Sequence, residues 1–174
     1  MKRINFIIVA TLLFGVVAAF TSCKKYEEGP LLSLKSKNGR ITGEWELKEY
    51  NYTNTTDYGT ITATFDGSRV TTVYDDGTAF TYPYSLEFQI NKDGTYTSKE
   101  MVDSNYAEET SLWSWKDGTS EKEMISFYSF GGWWVIKKLS NKELIIENNS
   151  SLSEIEFGDN YFSNTEMSYT FEKK

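Results

Sequence analysis

Residue types that carry covalent chemistry are scarce in this sequence. It contains no histidine and a single cysteine, Cys23, against 25 acidic and 18 basic side chains. Without imidazole, Ser-His-Asp and Cys-His mechanisms lack their base, and the common zinc sites lack their usual ligand. Paired carboxylates serve a glycosidase only when two of them converge across a cleft at a defined separation. Here the acids fall mostly at turns and on the polar side of strand-like runs, as solvated residues do. Asp75-Asp76 and Asp103–Asn105 hint at calcium, but neither has the central glycine and terminal glutamate of an EF-hand loop. With no phosphate-binding loop either, the expectation is a protein that is not an enzyme and uses no metal or cofactor. The chemically distinctive residues that remain are Cys23 and two tryptophan pairs, Trp113/Trp115 and Trp133/Trp134.

Cys23 is explained by what precedes it. Lys2 and Arg3 form a short basic head, and Ile4–Phe20 is apolar apart from Asn5 and Thr11. A charged start, an apolar middle and a small-residue end make a secretory signal, too short for a comfortable membrane span. The run "FTSC" then resembles the lipobox of bacterial lipoproteins, with Phe20 where that family most often carries an aliphatic residue. The resemblance implies cleavage after Ser22, a diacylglycerol on the Cys23 thiol and acylation of the new amine. A lone thiol in an exported protein is otherwise open to oxidation and mispairing. Several acyl chains on one residue also give stable anchoring. Lys24 stands where an inner-membrane retention aspartate would, and Glu27-Glu28 looks like the acidic signals that send some lipoproteins to the cell surface. The expected address is the outer membrane, with the domain surface-exposed rather than periplasm-facing.

Removing residues 1–22 leaves 152 residues, one domain in size. Those 22 residues hold two bases and no acid, so the formal charge moves from −7 to −9. Such a chain is repelled by phosphate backbones, which argues against nucleic acid as a partner and against lying flat on anionic lipid. With no second cysteine, the domain stands on its core alone, and 16% of its residues are aromatic. It is expected to be a monomer.

The elements that position these residues read as strands. Residues 23–40 form a lipidated tether ending in a short turn, where "LLSL" is expected to cap one end of the domain at 41–174. "TITATF" alternates Ile61, Ala63 and Phe65 with threonines, and "SLEFQI" alternates Leu86, Phe88 and Ile90 with polar residues. "MSYTFE" places Met167, Tyr169 and Phe171 on one side. Asp-Gly pairs at 66–67, 76–77, 93–94 and 117–118 supply the positive φ of tight hairpins. "LSNKEL" at 139–144 makes a further turn. Successive hairpins give an all-β antiparallel up-and-down meander, which removes its edges by closing on itself. The runs predict a barrel of about eight to ten strands. Only Asn149–Thr165 breaks the rhythm and reads as a long loop packed over a barrel end.

"ITGEWEL" holds Gly43-Glu44-Trp45, which resembles the G-x-W element opening the first strand of lipocalins. "LEFQINKDGTYT", "SLWSWKDG", "MISFYSF", "WWVIKKLSNKELII" and "MSYTFEKK" follow in an order similar to the lipocalin-like domains of small exported bacterial lipoproteins, over roughly residues 41–173. That resemblance implies a lipocalin-like barrel in which Trp45 closes the base structurally. The "DGSRVTTVYDDGTAF" segment is a departure that lengthens the early hairpins.

Three functions fit this frame. In the first, a small apolar or amphipathic molecule binds inside the barrel, lined by Phe88, Tyr96, Trp113, Trp115 and Phe127. Trp113 and Trp115 share one face, inward as lining or outward as a sugar-stacking platform. In the second, the lipoprotein binds surface glycans through Trp133 or Trp134, of which one must point out. In the third, a packed barrel contacts a protein partner and holds no small molecule. Tyr50, Tyr52, Tyr58 and Tyr74 are expected to rim the mouth or shield edges.

Overall fold

The computed structural model describes residues 35–116, 123–156 and 159–174, with side chains excepted from 152 to 162. The signal, Cys23, the "LLSL" segment and the Asp117-Gly118 pair lie outside the described residues. A five-residue helix, α1 (Lys37–Ile41), leads into ten strands. They are β1 (Gly43–Thr56), β2 (Gly59–Phe65), β3 (Arg69–Tyr74), β4 (Ala79–Ile90), β5 (Thr95–Val102), β6 (Asn105–Trp115), β7 (Met124–Phe127), β8 (Trp133–Leu139), β9 (Glu143–Glu156) and β10 (Asp159–Lys173). All neighbours pair antiparallel in chain order, and β1 closes on β10, so the fold is an all-β up-and-down barrel of the lipocalin-like kind.

The turns form where the Asp-Gly pairs predict them. Gly67, Gly77 and Gly94 have φ of 99°, 81° and 89°, and the preceding aspartates accept backbone N–H groups from Ser68 and Arg69, Thr78 and Thr95. Each carboxylate is held below its usual pKa by these hydrogen bonds, to the backbone first at Asp66 and Asp76 and to the Thr95 hydroxyl first at Asp93.

Strand register divides the barrel into two levels. Low down, β1 pairs directly with β4, from Gly43 opposite Ile90 to Glu46 opposite Glu87. Higher up, the β2–β3 hairpin is wedged between them, with Asn51–Thr56 on β2 and β3 on Ala79–Pro83. The ring is therefore eight strands at its base and gains two above, and a barrel widens with its strand number. On the far side the wall is low. β7 pairs through only three residues with each neighbour, and β6 above Trp113 has β5 as its only strand partner.

The segment Asn149–Thr165 corrects the expectation of a loop. Glu156 opposite Asp159 continues in unbroken register through Asn149 opposite Glu166, so β9 and β10 form one tall hairpin. Its Asn, Ser and Thr residues hide the strand from a reading of apolar alternation, because backbone pairing does not depend on that pattern.

The base is closed by the chain's two ends. Trp45 is fully buried, and its Nε1 donates to the Ile41 carbonyl of α1 at 2.6 Å. Lys173 lies with its Nζ 4.9 Å from the Trp45 ring centroid and donates to the Arg40 and Thr42 carbonyls. Burial lowers the pKa of that ammonium, with Lys35 nearby adding to the effect. Gly43 is required here twice over. Its φ is 130°, and a Cβ would come within 2.6 Å of Lys173 Cε. α1 lies at this closed end, and Ser36 caps it by accepting from Gly39 N. Among the described residues, the buried core runs from Ile41 to Phe171.

Candidate functional site

Inside the eight-stranded base the rings pack on one another. Phe88 lies 5.6 Å from Tyr96, 5.2 Å from Phe127, 5.4 Å from Phe130 and 5.0 Å from Phe171, centroid to centroid. Phe88, Tyr96 and Phe127 are almost completely buried, and the Tyr96 hydroxyl meets the Ser129 hydroxyl at 2.6 Å. Trp113 and Trp115 also face inward, edge to face at 5.7 Å, at the bottom of the barrel. Their indoles donate to the Asn91 carbonyl and to Asn38 of α1, and Lys37 covers the Trp115 ring at 4.3 Å. The residues named from sequence as lining are therefore all inward, and they pack against one another, against Phe130 and Phe171, and against α1.

Above this plug the inward positions change character. A bulge between Leu47 and Glu49 shifts the alternation of β1, so Trp45 and Leu47 are followed inward by Tyr50 and Tyr52. Register then brings Tyr169 opposite Tyr50, and Met167 opposite Tyr52. On β4 the alternation runs up from Phe88 and Leu86 to Tyr84 and Tyr82, and on β5 from Tyr96 and Ser98 to Glu100 opposite Leu86. The Tyr50 and Tyr169 rings are 4.7 Å apart, and the Tyr84 hydroxyl donates to Glu100 Oε1 at 2.8 Å.

These phenols resist ionisation. Burial pushes Tyr50 up to about 12, with a hydrogen bond to Tyr169 opposing the shift and Tyr52 and Tyr82 adding to it. Tyr84 and Tyr169 are raised further, by burial first and then by neighbours that include the Glu100 carboxylate. The inner face stays open toward the rim, where Phe80 is 58% and Val102 37% exposed. Tyr74 packs edge-on against Phe80 at 6.0 Å.

Other candidates sit elsewhere. Trp134 is buried and Trp133 is 39% exposed, so the adjacent pair splits inward and outward, with Lys116 Nζ 5.9 Å from the Trp133 ring. Tyr58 projects at the β1–β2 turn. Two grooves, of about 320 and 200 Å³, lie on the outer wall among polar side chains such as Glu87, Thr97 and Lys99, or Asn51, Glu147 and Glu166.

Sequence reasoning missed Tyr82, Tyr84, Tyr169 and Glu100 as a group. The signal was available on β4 and β5, where continuing the period-two pattern from Phe88 and Tyr96 reaches them.

Compared with protein-family models, with curated proteins and with solved structures, the chain matches none. Among the described residues no helix is long and apolar enough to cross a membrane. Paired outward positions across β1, β4, β5 and β6 carry Glu46, Glu87, Lys99 and Glu108, where a membrane-spanning barrel presents an apolar band.

Proposed function

We propose that the chain is an outer-membrane lipoprotein, anchored through acyl chains on Cys23, whose lipocalin-like barrel binds a small amphipathic molecule in its flared upper half. The observation that carries the binding reading is the break in the interior at Tyr84. Below it the aromatic rings are buried against each other, and above it inward aromatic faces meet solvent. Aromatic walls with a few polar groups suit a ligand whose apolar body is buried and whose polar end is oriented. The described chain begins at Lys35, beside the closed base.

Two mass measurements test this. The intact mass of protein recovered from host membranes should carry the acyl additions at Cys23, and an unmodified thiol there overturns the anchor. Native mass spectrometry of residues 24–174 mixed with host lipid extract should show a discrete added mass that a competitor displaces. A bare mass from folded protein instead favours a packed barrel that acts through its surface, with Trp133 its first contact residue to test on polysaccharide.

A further inference from the structure

Resting on that binding site, we infer that its ligand is an organic cation, an amine or quaternary ammonium group carried on an apolar body, received by a tyrosine cage around Glu100. The inner face of the upper barrel presents Tyr50, Tyr52, Tyr82 and Tyr84, partly buried and packed onto the core from above, beside Tyr169, which is itself a buried member of that core. Glu100 projects into the same face, and its pairing with the Tyr84 hydroxyl fixes the carboxylate against that wall. Opposite Ser98 on β6, Glu109 also has an inward position, exposed at the low wall.

Positive charge is missing from this face. Among the described residues no lysine or arginine pairs with Glu100 or Glu109, and the inward positions of β1 to β6 above the plug hold none. The lysines that form ion pairs do so with other acids, such as Glu87, Glu143 and Glu147. A carboxylate drawn out of water is normally matched by a cation or by several donors. Here one phenol donates, and the tyrosine rings of the same inner face have quadrupoles that attract cations too. The raised tyrosines report the same negative field, since Glu100 acts on both Tyr84 and Tyr169. An anionic amphiphile entering this cage would meet an unpaired carboxylate and rings of the wrong sign. The net charge of the whole chain, −7, draws cations to the mouth as well.

The test compares three amphiphiles of equal chain length, decyltrimethylammonium, decanol and decyl sulfate, by calorimetric titration below their micelle concentrations into folded residues 24–174. The cation should bind about tenfold or more tighter than the sulfate. Glu100→Gln retains an acceptor for Tyr84 and removes the charge, so it should erase most of that preference and leave decanol unchanged. Glu108→Gln, on the outer wall, should leave the preference intact. Equal affinity for all three overturns the cation inference and leaves the binding reading standing. A preference that survives Glu100→Gln but falls with Glu108→Gln overturns it also, because the attraction would then be external. No binding of any of the three to folded protein overturns the binding reading itself.

Discussion

Along three strands the barrel interior makes the same change within two to three residues. On β4 it passes from Phe88 and Leu86 to Tyr84 and Tyr82, on β10 from Phe171 to Tyr169 and Met167, and on β1 from Trp45 and Leu47 to Tyr50 and Tyr52. The base uses phenylalanine rings, indoles whose N–H groups reach a carbonyl or Asn38, and a single phenol, Tyr96, whose hydroxyl meets that of Ser129. The mouth uses phenols, which tolerate partial burial because the hydroxyl finds a partner or water. The division coincides with the entry of the β2–β3 hairpin, where the ring gains strands and its walls move apart. A closed core and a partly exposed mouth thus share one sheet, and the inserted hairpin marks the change between them.

The largest effect should come from the base. Phe88→Ala leaves a void among four rings and should cost about 3–5 kcal/mol of stability in urea denaturation followed by tryptophan fluorescence. Tyr82→Ala, one level up at a partly buried position, should cost about 1 kcal/mol and, on the proposed function, weaken amphiphile binding instead. Similar losses of stability from the two would dissolve the distinction between core and mouth.

The next effect is one of pH and belongs to the mouth. The folded-state pKa values of Tyr50, Tyr84 and Tyr169 lie above their ordinary value of 10.0. The unfolded chain therefore loses these protons first. Their contribution to stability is complete below pH 10.0 and is lost as pH rises through the folded value, about 12 for Tyr50. Phenolate absorbance should find Tyr50, Tyr84 and Tyr169 of the native protein still protonated at a pH where the urea-unfolded chain has lost these protons. Complete native titration near pH 10 would mean that the cage is already open to water.

Much of this contrast was legible in the sequence at the base and little at the mouth. Ile61–Phe65, Leu86–Ile90 and Met167–Phe171 declare their inward faces because apolar and polar residues alternate with period two. G-x-W and the Asp-Gly turns carry local backbone demands, which do not depend on what lies across the barrel. The mouth depends on register. The bulge after Leu47 reverses the parity that would otherwise turn Tyr50 outward, and a second bulge between Ile136 and Lys138 brings Leu139 inward after Trp134 and Ile136. Glu100 reads as a solvated charge until Leu86 is seen to be its partner. The tall β9–β10 hairpin was hidden by the same rule in reverse, since its polar residues pair without alternating.

The smallest effect separates two turns of identical chemistry. Asp93 at the β4–β5 turn and Asp76 at the β3–β4 turn each accept from the backbone N–H two residues on. The β4–β5 turn is tied to the base, because Trp113 donates its backbone N–H to the Gly94 carbonyl and its indole N–H to that of Asn91. The β3–β4 turn caps a hairpin at the mouth, beyond the packed rings. Asp93→Ala should therefore lower the melting temperature measurably and Asp76→Ala hardly at all, because loosening the first turn also loosens Trp113. Both carboxylates have folded pKa values below 3.8, so what they contribute is present above that pH and lost as pH falls through the folded value. The gap between wild type and Asp93→Ala should accordingly close in acid. A gap that persists at low pH would show that the alanine harms the turn through its backbone, and that the carboxylate was not what held Trp113 against the base.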